Sequence, residues 1–162
     1  MRLFVQVRPS DDAIRHLRAH LTGVRTSNPD QWHVTLAFLG EVESAEPLYD
    51  GLAAAASLHP PFRLSLRGGG SFGPRATWAA VGGDVDALRA LAGDVEAVCR
   101  DAGVHLEDRA YRPHHTVGRV DRRLLSSYDG PGWDVREIQL VHSVLGNRAV
   151  HTVLRAFPLY QA

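Results

Sequence analysis

The sequence predicts an α+β fold: two pseudo-symmetric lobes of mainly antiparallel β-sheet, helices outside, facing each other across a central cleft. Three observations carry this expectation. The first is a repeated strand motif. In Trp32-His33-Val34-Thr35-Leu36-Ala37-Phe38-Leu39-Gly40, period-2 geometry puts His33 and Thr35 on one face and Trp32, Val34 and Leu36 on the other. His114-His115-Thr116-Val117 repeats the His-x-Thr-apolar arrangement 81 positions on, close to half the chain. The second is the element order, β-α-β-α-β-β-α-β-β-β, in which strands dominate. The third is that no linker or low-complexity segment divides the 162 residues, so both lobes are expected to form one cooperative bilobal unit, residues 1–162.

In chain order, Leu3 to Val7 reads as a short buried strand closed by Pro9. Ser10 is a good N-cap, with Asp11 and Asp12 in the first turn and Ile14, Leu17 and Leu21 on one helical face. Residues 22–31 read as loop, with Asn28-Pro29-Asp30 as the turn signal. After the His33 strand, Ser44 and Pro47 open a second helix whose Leu48, Leu52 and Ala55 share a face, and Pro60-Pro61 ends it. Phe62, Leu64 and Leu66 alternate with Arg63, Ser65 and Arg67 as in a half-exposed strand, which Gly68-Gly69-Gly70 is expected to break. Residues 76–81 are apolar on both faces, the pattern of a central strand, and Gly82-Gly83 ends it. From Asp84 to Ala102 the helical period is strong, with Leu88, Leu91, Val95, Val98 and Ala102 in one stripe and Cys99 beside it as a core thiol. Two last strands, about 134–144 and 149–157, flank a Gly146-Asn147 turn.

Composition narrows the function. Formal net charge is zero, which argues against a broad electrostatic grip on long nucleic acid; a nucleic-acid substrate would be held locally, at an end. All 18 basic residues are Arg, so any phosphate site must use planar guanidinium forks. The lone Cys99 excludes an internal disulfide and a CxxC zinc site, and suits a reducing cytoplasm. The residues following Met1 lack the apolar core of a signal peptide, and no run reaches the ~20 apolar residues of a membrane span.

A single His-x-Thr on an apolar strand reads most simply as a satisfied core histidine. Two copies in matched strands point to chemistry, because an imidazole beside a hydroxyl is a compact pair for proton transfer and for holding an oxyanion. His115, of opposite parity to His114, reads as packing or rim. His16, His20, His59, His105, His142 and His151 read as surface or structural. No H-E-x-x-H and no clustered Cys/His spacing marks a metal site.

His33-Val34-Thr35-Leu36-Ala37-Phe38-Leu39-Gly40 and Arg112-Pro113-His114-His115-Thr116-Val117-Gly118-Arg119 resemble the two signature motifs of the 2H phosphoesterase superfamily. The chain is most similar there to the bacterial RNA 2',3'-cyclic phosphodiesterases, the LigT or ThpR proteins, also called 2'-5' RNA ligases. The likeness extends to Met1-Arg2-Leu3-Phe4-Val5, to the Pro-Arg-x-x-Trp segment from Pro74 to Trp78, and to Val153-Leu154-Arg155-Ala156-Phe157-Pro158-Leu159. Two departures stand out: His115 replaces a usually apolar residue, and Val117-Gly118 replaces the commoner Leu-Ala before Arg119. A wetter strand edge near His114 is the expected consequence.

The resemblance implies hydrolysis of 2',3'-cyclic phosphate RNA ends to 2'-phosphomonoesters by two-histidine acid-base catalysis, without metal or other cofactor, in a monomer that engages no membrane. The resemblance makes His33 and His114 the acid-base pair, with Thr35, Thr116 and Arg119 on the phosphate; which histidine is acid and which is base stays open, and we take His114 as the base and His33 as the acid. By parity Arg119 lies opposite His114 unless the strand ends or bulges near Gly118. Phe4 and Trp78 are the candidates for stacking a terminal base. A related activity on a small cyclic nucleotide, a 2'-5' linkage with reversible ligation, and a non-catalytic RNA-end binding module remain open alternatives.

Overall fold

The computed structural model describes residues 1–74, 76–108 and 110–161; Arg75, within the Pro-Arg-x-x-Trp segment, lies outside them. The elements are β1 (Arg2–Val7), α1 (Asp11–His20), β2 (Val34–Glu41), α2 (Tyr49–Ser57), β3 (Phe62–Phe72), β4 (Ala76–Gly83), α3 (Val85–Asp101), β5 (His114–Gly118), β6 (Trp133–Val135), β7 (Glu137–Val144) and β8 (Val150–Pro158). They form two four-stranded sheets, ordered β2-β1-β7-β8 and β5-β4-β3-β6, with every pairing antiparallel. The two orders correspond strand for strand. In each sheet a His-x-Thr motif lies at one edge, next to an antiparallel partner, so the expected α+β pseudo-symmetry is realised.

Local chemistry explains most elements. Ser10 Oγ accepts from the Ala13 amide at 3.1 Å and caps α1, whose Ile14 and Leu17 are buried. Of the expected α3 stripe, Leu88, Leu91 and Val95 are buried, Val98 is half-buried and Ala102, just past the helix, is exposed, while Cys99 beside the stripe is buried; α3 packs against α2 and β2. Burial pushes the Cys99 thiol up to about 11, so it packs as a core residue, as expected.

Three readings are corrected. Ser44 does not cap the second helix: a 3₁₀ turn at Glu46–Leu48 with Pro47 in its first turn leads into α2 at Tyr49. The Gly68-Gly69-Gly70 run bends β3 without ending it. Gly68 adopts φ +71° at a register shift between Leu66 and Gly69, and the strand continues to Phe72. Its neighbours must be glycine, because a Cβ would come within 2.6 Å of the Trp78 carbonyl at Gly69 and 2.7 Å of the Trp78 ring at Gly70. The expected strand 134–144 is two strands in different sheets. The chain leaves the second sheet after Val135 and enters the first at Glu137, so Arg136 is the crossing point. Phe38 is half exposed on β2, where the Arg2 guanidinium lies 4.7 Å above its ring.

His115 is fully buried, with neither ring nitrogen hydrogen-bonded, and sits edge-on to Trp32 at 5.2 Å. The strand edge at His114 is therefore dry behind the motif rather than wetter. Burial, then the charges of His33, Arg8 and His114, push His115 down to about 3. As pH falls from 6.5 towards 3, the unfolded chain takes a proton that the folded chain refuses, and stability is lost with acidity. His115→Leu should therefore lower the pH slope of urea-unfolding free energy in that window by about 1.4 kcal/mol per pH unit. An unchanged slope would place the imidazole in contact with water.

Candidate active site

The first motif is built from a turn. Asn28 accepts from the Asp30 amide through its side chain, starting the 3₁₀ turn Pro29–Gln31. The Gln31 carbonyl then accepts from His33 Nδ1 at 2.7 Å. With Nδ1 donating, the neutral ring carries its lone pair on Nε2, which accepts from Thr35 Oγ1 at 3.0 Å. Trp32, Val34 and Leu36 are buried on the other face, as the alternation requires. Gln31 is itself held by a hydrogen bond from its side chain to the Ala149 carbonyl, 2.8 Å. Thr35 is held through its carbonyl, which accepts from Tyr111 Oη at 2.8 Å.

The second motif repeats the device. Pro113 biases Arg112 towards extended backbone, and the Arg112 carbonyl accepts from His114 Nδ1 at 2.6 Å. Each imidazole is thus tied through Nδ1 to the carbonyl two residues upstream, which leaves Nε2 with no backbone partner; in His33 it faces the Thr35 hydroxyl. Thr116 shares the His114 face and is exposed. Phe72 stands edge-on to His114 at 5.0 Å, with Trp78 behind at 6.3 Å.

The two edges are laced together. Ser27 donates its amide to the Val117 carbonyl at 2.9 Å and accepts the Trp32 indole N–H at 3.0 Å on Oγ. Trp32, just before His33, packs on His115, just after His114. The imidazoles consequently feel each other's charge. Burial pushes His33 down to about 4; its bond to the Gln31 carbonyl opposes this, and the charges of His151, His114 and Arg8 reinforce it.

Arg119 lies just beyond β5, exposed. The irregularity that parity demands is present: the β4–β5 register shifts between Thr77 and Trp78, and Gly118 takes φ +112°. A Cβ there would meet the Ser27 amide nitrogen at 2.8 Å, so Gly118 is required by the same contact that joins the edges. Among the described residues no His, Cys, Asp or Glu cluster has the makings of a metal site.

Residues 4–143 match the model of the 2'-5' RNA ligase superfamily. The chain belongs to that superfamily. A Geobacillus stearothermophilus protein named RNA 2',3'-cyclic phosphodiesterase is 40% identical over 148 residues, covering 82% of this chain and 47% of that protein. The chain thus spans about half the length of that relative. A protein of the same name from Archaeoglobus fulgidus is 31% identical, covering 97% of this chain and 99% of its own length. Among solved structures, a Thermus thermophilus protein aligns with TM-score 0.81 and 31% identity over 98% of both chains.

Within this 2'-5' RNA ligase superfamily fold, three further residues border the motifs. His151, read from sequence as surface or structural, lies 5.8 Å from His33, ring to ring. Phe4 stacks on His33 at 4.8 Å and is buried, so it is a support for the imidazole rather than an open stacking face. Phe72, not singled out from sequence, is the exposed aromatic beside His114, at 40% exposure. The alternating pattern gave no signal for Phe72, because it follows the glycine run that hides the continuation of β3.

Proton NMR titration of the free protein should find His33 neutral, protonated on Nδ1, down to about pH 4. A midpoint near 6.5 would contradict the burial of the site.

Proposed function

We propose that this chain hydrolyses the 2',3'-cyclic phosphodiester at RNA ends to a 2'-phosphomonoester. One observation carries the reading: two imidazoles on facing strand edges, each with Nδ1 committed to a carbonyl and Nε2 left for a reacting proton. His114 takes a proton from water as its oxygen attacks phosphorus. The P–O3' bond breaks, and His33 delivers a proton to the departing O3'. The low pKa of His33 adds a condition: in the empty cleft it is neutral, and the entering phosphodiester anion supplies the countercharge that lets it take up a proton. Thr35 then exchanges its bond to His33 for one to a non-bridging oxygen, with Thr116 on the other side. Arg119 adds a fixed charge where the pentacoordinate phosphorus concentrates negative charge.

The names of the relatives support this substrate class, and the zero net charge of the chain suits recognition of an end rather than a track. Phe72 is our assignment for the terminal base, since every base offers a π-face to an exposed ring. Both motifs come from one chain, so a monomer suffices, and residues 1–162 act as one bilobal unit. RNA substrates and a free, buried Cys99 thiol suit a reducing cytoplasm. No described helix is long and apolar enough to cross a membrane.

Turnover of a 2',3'-cyclic mononucleotide and of an RNA with a cyclic end tests the proposal, with chromatography against 2'- and 3'-monophosphate standards. His33→Ala and His114→Ala should each lower kcat by about 10²-fold or more, with His115→Leu active as the internal control. Either histidine variant near wild-type rate rules out the two-histidine mechanism. Activity should survive prolonged EDTA, and loss restored by zinc or manganese would overturn the metal-free chemistry.

Arg119→Ala should lose mainly kcat, and Arg119→Lys should recover only part of it, because Lys keeps the charge but not the fork. If Arg119→Ala is kinetically silent, the strand-end irregularity does not bring its guanidinium to phosphorus, and Arg112 is the next arginine to test.

A further inference from the structure

The first sheet curls so that side chains from its two edges meet at the site. β2 and β8 are its opposite edges, separated by β1 and β7, yet the His33 and His151 rings lie 5.8 Å apart. The Gln31 side chain bonded to Ala149 O stitches the same seam. The register places His151 opposite Ser143, and Phe4 opposite Val141 two residues away, so His151 and Phe4 share a face. Phe4 bridges the two imidazoles, 4.8 Å from His33 and 5.1 Å from His151.

The two nitrogens of His151 differ. Nδ1 is buried with no hydrogen-bond partner, whereas Nε2 lies outside the sealed region. An orphaned donor is worse than an orphaned acceptor in such a place, so the proton belongs on Nε2. Burial also lowers the pKa of the ring, which keeps it neutral near pH 7 and limits it to that one N–H. The result is a single donor fixed beside the motif imidazole, with an unpartnered buried nitrogen as the cost of placing it there.

We propose that His151 is a third substrate-binding imidazole, whose Nε2–H donates to a phosphoryl oxygen held at His33. This rests on reading the cleft as a phosphodiester site, so the test separates the two. Inorganic phosphate is the probe, and its binding is followed by NMR shifts of the His33 and His151 ring protons, alongside kcat and KM for a 2',3'-cyclic mononucleotide.

In His151→Phe the ring still packs on Phe4 and the orphaned Nδ1 is gone, so the melting temperature should hold or rise. Phosphate Kd should nonetheless increase roughly 10-fold, with a matching fall in kcat/KM carried mostly by KM. His151→Gln, whose amide nitrogen sits near the Nε2 position, should recover part of the loss; His151→Asn should not. Wild-type phosphate affinity in His151→Phe overturns the proposal and leaves the cyclic phosphodiesterase reading intact. Equal impairment of Phe and Gln variants also overturns it, because it traces the effect to packing. Absence of phosphate binding and turnover in the unsubstituted protein sinks both readings together.

Discussion

The hydrogen bond from Nδ1 of each motif histidine to a carbonyl two residues upstream is the constraint on which the site depends. It fixes tautomer and ring direction with one local interaction, and it needs only that the chain before each strand hold its carbonyl still. The two halves meet this need differently. Before His33 the carbonyl belongs to a 3₁₀ turn pinned to Ala149, and before His114 it belongs to an Arg-Pro step whose φ/ψ range is narrow. Everything larger, from sheet order to the Ser27–Val117 bond, sets two such units face to face at strand edges.

Edge placement resolves a conflict between burial and access. An imidazole on the core face is sealed, as His115 is even on the edge strand β5, and its charged form is out of reach. At an edge one flank stays open for substrate while Trp32, Val34 and Val117 anchor the back of the strand in the core. Unpaired edges invite association with other chains. Here the two motif-bearing edges are turned towards each other and laced by Ser27, so the groups that would be a liability border the cleft.

Much of this was legible in the sequence because it is local and periodic. The pairing of His33 with Thr35, the buried set of Trp32, Val34 and Leu36, the Ser10 cap and the α3 stripe follow from spacing alone. The parity argument also located the irregularity at Gly118 before Arg119. What stayed hidden depends on partners distant in the chain. Near Arg136 no Gly or Pro marks the change of sheet, and its one trace is a phase shift in the alternation, from Trp133 and Val135 to Ile138 and Leu140 across the polar pair Arg136-Glu137. Gly69 and Gly70 look like punctuation until Trp78 is seen packed against them. His151 gave no signal because its significance comes from the curl of a sheet that brings together segments 118 residues apart, as in the Gln31–Ala149 bond.

That curl also sets the surroundings of the first motif. Desolvation is the largest cause of the low His33 pKa, and the two rings packed on it arrive from different strands, Phe4 from β1 and His151 from β8. His114 has no comparable enclosure; its neighbours Phe72 and Trp78 leave it towards the open side. The two motifs are therefore alike in sequence and in hydrogen bonding but unlike in dielectric. A symmetric pair would offer two equivalent imidazoles with no preference for giving or taking a proton. Unequal burial on a symmetric frame gives the two rings different surroundings, and under the proposed reaction that difference would let an anion in the cleft decide the protonation state of one ring and so give the pair a direction.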